Sequence, residues 1–184
     1  MEQWKRKTLY LSHSLQLTCM TQYNDITDVV IEYPIGEEIV KLLELPMLTM
    51  LDISELKIDL EHLSKFTMLT ELYAASNDIC QLEAISDLVN LEVLCLADNC
   101  LICLKPLSKL NKLTKLILRD NVISDVSPLA DLTNLVELDL QNNLLSDISV
   151  LNDLYSLKVI RLANNNLTGT NHLPNISNID IFYN

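Results

Sequence analysis

Glycine is almost missing from this chain, which has two in 184 residues. Loops that cradle phosphate use glycines to bring backbone N–H groups close to the anion, so a nucleotide site of that kind is excluded. Histidine is nearly as scarce, and His13, His62 and His172 stand too far apart for metal-ligand spacing. No nucleophile elbow occurs, and no two carboxylates are placed for acid-base work in a cleft. These absences predict a protein that is not an enzyme and that needs no cofactor.

Positive charge is also in short supply. Lys and Arg total 13 against 25 Asp and Glu, for a formal net charge of -12. Such a surface repels a phosphate backbone, which excludes nucleic acid as partner and favours a basic protein segment. Although 49% of the residues are hydrophobic, no uninterrupted apolar run is long enough to span a membrane.

What the chain has is a repeat. Leu69, Leu91, Leu113, Leu135 and Leu157 lie 22 residues apart, and each opens the pattern LxxLxLxxNx(I/L) or a close variant. Eight residues after each opening Leu comes an Asn, at Asn77, Asn99, Asn121, Asn143 and Asn165. Two residues further on comes an apolar residue, at Ile79, Leu101, Ile123, Leu145 and Leu167. The LxxLxL portion is a short strand whose period-two side chains point inward. In the unit from Leu113, the apolar residues Val126, Leu129 and Leu132 are spaced by three, which suits a short 3₁₀ or α turn on the opposite side.

This is the pattern of a leucine-rich repeat. It predicts an α/β solenoid with a parallel sheet on the concave face and short 3₁₀/α turns on the convex face. No unit buries its apolar face alone, so stability must come from neighbouring units. An Asn amide donates and accepts at once, so the Asn column is expected to act structurally, satisfying backbone groups where each strand turns into its loop.

The phase extends towards the N-terminus. Ile26, Val29, Ile31, Ile39, Leu42 and Leu45 occupy the repeat's apolar positions, with Pro34 at the Asn position. The unit from Leu48 keeps Leu51, Ile53 and Ile58, is one residue short, and has Leu56 where Asn is expected. Residues 26–178 thus read as seven repeats of about 22 residues. Lacking the Asn, the first two are expected to be the less regular and the first to fray.

Residues 1–25 read as an N-terminal cap, with Trp4, Leu9, Leu11 and Leu17 covering the open end of the core. Lys5, Arg6 and Lys7 precede an apolar run broken by Ser12, His13, Ser14, Gln16 and Thr18, unlike the core of a signal peptide. The expected location is therefore cytoplasmic or nuclear. Residues 179–184 read as the start of a further repeat or a terminal edge strand. Such an edge can pair with a second chain, which leaves the oligomeric state open.

Residues 121–157, NVISDVSPLADLTNLVELDLQNNLLSDISVLNDLYSL, resemble the 22-residue repeats of the internalins, bacterial surface proteins. They are also similar to the leucine-rich regulatory subunits of protein phosphatase 1. The resemblance implies a curved, non-catalytic scaffold that binds another protein on its concave face, as a regulatory subunit or as a surface adhesion module. Because Ile179 opens another strand shortly before the last residue, Asn184, the alternative expectation is the repeat portion of a longer multidomain protein. The Asn166-Leu167-Thr168 and Asn175-Ile176-Ser177 sequons gain meaning only in a secreted chain.

In each strand the residues two, four, six and seven after the opening Leu face outward. In the N-terminal units these are Asp28, Glu32, Asp52, Glu55 and Glu71, with no basic residue among them. Tyr73, Val93, Cys95 and Ile117 then place apolar groups on a face exposed to water, and further along Lys115, Arg119 and Arg161 mix with Asp98, Asp120, Glu137 and Asp139. The predicted partner-binding residues are Glu71, Tyr73, Val93, Cys95, Ile117 and Arg119, apolar anchors beside an orienting acidic field. The CxxC of Cys100 and Cys103 falls on the loop after the strand, away from Cys95, which argues against metal. Cys80 and Cys103 are expected to approach each other across adjacent repeats, where a disulfide would form in an oxidising compartment.

Overall fold

The computed structural model describes residues 6–11, 25–32, 39, 41–42, 44–58, 60–167 and 180–182, the last three through their backbone only. The expectations for Trp4, Leu17, Pro34, His13, His172 and Asn175 lie outside this set.

The described strands form one sheet in chain order, β1 to β9, with every neighbouring pair parallel. They are β1 (Thr8–Leu11), β2 (Asp28–Ile31), β3 (Met50–Asp52), β4 (Glu71–Tyr73) and β5 (Val93–Cys95), followed by β6 (Lys115–Ile117), β7 (Glu137–Asp139), β8 (Val159–Arg161) and β9 (Asp180–Phe182). A parallel neighbour needs a crossover. From β3 to β8 it runs through a 3₁₀ turn, at Glu61–Lys65, Glu83–Ile85, Lys105–Lys109, Ser127–Leu129 and Ser149–Asp153. The three-residue apolar spacing explains why these turns stay short: an i, i+3 stripe suits three residues per turn. The protein is the predicted α/β solenoid of leucine-rich repeats.

Period two decides which strand residues go inside. Leu51, Leu72, Leu94, Leu116, Leu138 and Ile160 form one buried column at the strand centres, completely sealed from solvent. Ile79, Leu101, Ile123 and Leu145 bury the loop side, while Val126, Leu129 and Leu132 bury the convex turn of their unit. At the N-terminal end Leu11 is buried and Leu9 lies half-buried against the core. Both belong to a strand paired with β2, so Thr8–Leu11 extends the sheet by one strand.

The Asn column bonds across repeats. Asn121 accepts the Leu101 N–H at Oδ1 (2.9 Å). Its Nδ2 donates to the carbonyls of Leu96 (3.0 Å), Leu118 (3.1 Å) and Arg119 (3.2 Å). Asn143 repeats this set one rung on, with the Ile123 N–H and the carbonyls of Leu118, Leu140 and Gln141. Asn165 takes the Leu145 N–H and the Leu140, Leu162 and Ala163 carbonyls. Each amide therefore ties its own strand end to the preceding repeat. Asn77 and Asn99 differ, each Oδ1 accepting two N–H groups: Leu56 and Ile58 for Asn77, Asn77 and Ile79 for Asn99. In the unit from Leu48, Leu56 fills the Asn position with a buried side chain and lets Asn77 of the next unit take up its N–H.

Candidate protein-binding face

Register places the outward residues in two files along the sheet. One runs Met50, Glu71, Val93, Lys115, Glu137, Val159, and the other Asp52, Tyr73, Cys95, Ile117, Asp139, Arg161. Five of the six predicted binding residues, Glu71, Tyr73, Val93, Cys95 and Ile117, are brought together on β4, β5 and β6, all half-buried, and Arg119 lies exposed just beyond β6. Tyr73, Cys95 and Ile117 are direct lateral neighbours, so the apolar groups form one continuous file. Burial, above all, pushes the Cys95 thiol up from its ordinary value. It also raises the Tyr73 phenol to about 12, with the adjacent Glu71 carboxylate adding to the effect.

The acidic end of the face is not without a cation. Arg6, just before β1, pairs with Glu71, whose carboxylate also accepts the Tyr73 hydroxyl (3.1 Å). The Arg6 hydrogen bond chiefly, and then that of Tyr73, holds the Glu71 carboxyl below its ordinary range against the opposing effect of burial. The guanidinium also feels Asp28. Asp28 itself is only 3% exposed and accepts from Thr8 Oγ1 (3.5 Å) through Oδ2, while its Oδ1 has no hydrogen-bond partner. Reading the strands alone missed Arg6, because it precedes the first strand and its role depends on where the chain passes over the sheet.

Towards the other end, Glu137 sits between two cations, Lys115 Nζ at 2.9 Å and Arg161 Nη1 at 2.6 Å. Lys115 first, then Arg161, depresses its carboxyl pKa. Asp139, 7% exposed, is pushed the other way by burial. Arg119 is paired with Asp120. Beside the N-terminal strands an acidic hollow of about 340 Å³ is lined by Glu32, Asp52 and Glu55 together with Val30, Ile31, Ser54 and Leu56.

The rim of the face carries a feature that alternation does not predict. Glu55, Ser76, Asp98, Asp120, Asn142 and Asn164, each seven residues after an opening Leu, all have φ between 53° and 63°. Polar ends bond laterally in two stretches of this column: Ser76 donates to Asp98 (2.9 Å), and separately Asn142 donates to Asp120 and Asn164 to Asn142 (2.6 Å). The signal was present in the Asp or Asn before four of the ladder Asn residues, at Asp98, Asp120, Asn142 and Asn164, since these two residue types tolerate the left-handed region.

On the loop side the structure corrects the cysteine pairing. The Cys100 N–H donates to the Ile79 carbonyl (2.9 Å), which sets Cys100 laterally beside Cys80, so Cys80 meets Cys100 and not Cys103. The cause is a two-position slip between neighbouring loops, repeated where the Val122 N–H bonds the Leu101 carbonyl (3.1 Å) and sets Val122 beside Ile102. Cys80, Cys100 and Cys103 are exposed, and all are free thiols. Among the described residues no three His, Cys, Asp or Glu side chains are grouped to hold a metal, and no helix is long and apolar enough to cross a membrane.

A family profile described as leucine rich repeats (2 copies) matches residues 89–131 and again 111–153. No curated protein sequence matches the chain. Among solved structures, internalin C2 from Listeria monocytogenes is similar with a TM-score of 0.81 and 26% identity, covering 90% of this chain and 74% of that one. An internalin F from the same organism gives a TM-score of 0.72 and 26% identity over 88% of this chain, which spans 48% of its length. With the parallel sheet, the 3₁₀ crossovers and the Asn column, these likenesses make the chain a leucine-rich repeat protein that resembles the internalins.

Proposed function

We propose that the protein is a non-catalytic interaction scaffold or regulatory subunit that holds a basic or amphipathic segment of another protein on its concave face. The observation that carries this reading is the Tyr73, Cys95, Ile117 file: three apolar side chains side by side on a solvent-facing sheet, next to an acidic hollow. Apolar anchors that lose water on contact supply affinity, and surrounding charge supplies orientation and on-rate. The preference for a basic group is supported by Arg6, which lies against Glu71 and feels Asp28 at this end of the face. Val93 and Arg119 flank the file, the first as additional apolar contact and the second as a charge at the rim. Such a scaffold fits a cytoplasmic or nuclear setting.

The test is affinity capture from lysate of the source cell, with wild type, a Tyr73→Ala/Ile117→Asp variant, and a convex control, Ser127→Arg. The expected result is a protein recovered by wild type and control and lost from the concave variant, which binds a basic peptide of that protein in isolation. Recovery of the same proteins by all three baits, with unchanged affinity for their peptides, would overturn the concave site.

The likeness to two internalins favours a second reading, a surface adhesion module. Asn166 is exposed and stands in a sequon. Export of the native protein, or a glycan on Asn166, would support this reading over the first.

A further inference from the structure

Away from the concave face, on the loops that follow the Asn column, two thiols of adjacent repeats face each other. We propose that Cys80 and Cys100 form an oxidation site that closes to a disulfide by exchange with a small-molecule disulfide, clipping the repeat from Leu69 to the repeat from Leu91.

Backbone register carries the argument. The Cys100 N–H to Ile79 carbonyl bond (2.9 Å) is the hydrogen bond of a parallel pair in which Cys100 is opposite Cys80. Lateral neighbours in such a pair lie roughly 4.8 Å apart, which falls within the Cα separation that a disulfide spans. Alternation decides the direction of the side chains. Ile79 and Leu101 are buried, so Cys80 and Cys100, one residue to either side of them, both emerge towards solvent. The backbone therefore needs no rearrangement for the sulfurs to join.

Chemical surroundings agree with this placement. The Cys100 thiol is raised above its ordinary value, first by hydrogen bonding with the Cys80 thiol and further by the charges of Asp78 and Asp98. The Cys80 thiol also donates to the Asp78 carbonyl (3.5 Å). Access is open, because Cys80 lines a hollow of about 400 Å³ with Lys57, Asn77, Asp78 and Gln81. Cys103, although exposed, stands beyond the paired positions, and the apolar pair Ile102 and Val122 occupies the next lateral step.

The reaction balances with a disulfide RSSR such as oxidised glutathione. One protein thiolate attacks a sulfur of RSSR, forming a mixed disulfide and expelling one thiolate. The second protein thiolate then attacks the protein sulfur of that mixed disulfide and expels the other. Two electrons pass from the protein thiols to RSSR, and the two thiol protons end on the two RSH products.

The full chain, first reduced, would be incubated with reduced and oxidised glutathione at fixed ratios, quenched in acid and mapped by mass spectrometry. Cleavage after Glu83 and Glu92 and before Asp98 separates Cys80 from Cys95 and both from the Cys100 and Cys103 peptide. The expected product is a Cys80 peptide linked to the Cys100 and Cys103 peptide in wild type, and retained in Cys103→Ser. In Cys100→Ser the link is lost and only mixed glutathione disulfides remain, with circular dichroism establishing that each variant is folded. A link that survives in Cys100→Ser and disappears in Cys103→Ser would overturn the proposal. So would a wild-type protein whose thiols end only as separate mixed disulfides.

Discussion

Arg6 precedes the first strand, yet its guanidinium pairs with Glu71 on the fourth. The N-terminal segment thus adds a charge to a face that is otherwise acidic at this end. Because the pair lies partly in water, with the Arg6 side chain 62% exposed, removing it by Arg6→Ala is expected to cost about 1 kcal/mol at most. The pH dependence has a definite sign. Glu71 has its carboxyl pKa depressed by folding, so its stabilisation is complete above the ordinary glutamate value of 4.5 and is lost as pH falls through the folded value. Arg6→Ala should therefore raise the Glu71 pKa in a carboxyl-resolved NMR titration. The Tm difference from wild type should be present at pH 7 and vanish in acid, and an unchanged Glu71 titration would contradict the pairing.

Asn121 offers a larger effect. It is 7% exposed and serves one N–H and three carbonyls. Asn121→Ala leaves these groups inside without that partner, at about 1–3 kcal/mol for each group that stays unsatisfied. The Leu96, Leu118 and Arg119 carbonyls keep a second donor in Asn99 Nδ2, Asn143 Nδ2 and the Asp98 N–H, so a total loss of about 1–3 kcal/mol is expected, chiefly for the Leu101 N–H. Asn121→Asp should be no better, since a carboxylate cannot donate and would face three carbonyl oxygens. Urea unfolding measures both, and a loss below about 1 kcal/mol for Ala would show that the ladder is dispensable.

Asp98 tests the left-handed column. With φ at 54° it sits where a β-branched side chain collides with its own backbone. Asp98→Val is expected to destabilise by about 1–2 kcal/mol. Asp98→Gly relieves the backbone and loses only the exposed bond from Ser76, so its unfolding midpoint should stay close to that of wild type. Equal effects of Gly and Val would remove backbone conformation as the cause.

The parts of this molecule that the sequence discloses are those set by periodicity. Leu72, Leu94, Leu116 and Leu138 are buried because their spacing leaves them no other side, and the same spacing sends Tyr73, Cys95 and Ile117 outward into one file. Residue spacing within one unit does not reveal offsets between units. The loops slip by two positions relative to equal counting, which is why Cys80 meets Cys100 rather than Cys103. Nor does it reveal long-range charge pairing: Arg6 and Glu71 are 65 residues apart. Asp28 follows the strand pattern outward yet ends 3% exposed, since burial there depends on the chain beside it and not on its own strand.

Two neighbouring acids on β7 should answer pH in opposite directions. Glu137, held by Lys115 and then Arg161, is depressed, so it stabilises the fold above its ordinary 4.5 and loses that contribution as pH falls. Asp139 is raised, chiefly by burial, so the folded state binds its proton more readily than the unfolded state does. Its charge therefore counts against folding, and stability from this group falls as pH rises from 3.8 through the folded value. Asp139→Asn keeps an acceptor for the Gln141 N–H (3.1 Å) while removing the buried charge. It is expected to be as stable as wild type or more so at pH 7, with the gain disappearing below pH 3.8. Glu137→Gln should lose about 1 kcal/mol at pH 7 and low salt, leaving Lys115 and Arg161 to repel each other, and less at high salt, where the charges are screened. Urea midpoints of both variants from pH 3 to pH 8 would display the opposite slopes. A destabilised Asp139→Asn at neutral pH would mean that the carboxylate is held by partners stronger than Gln141, and that its charge supports the face instead of opposing the fold.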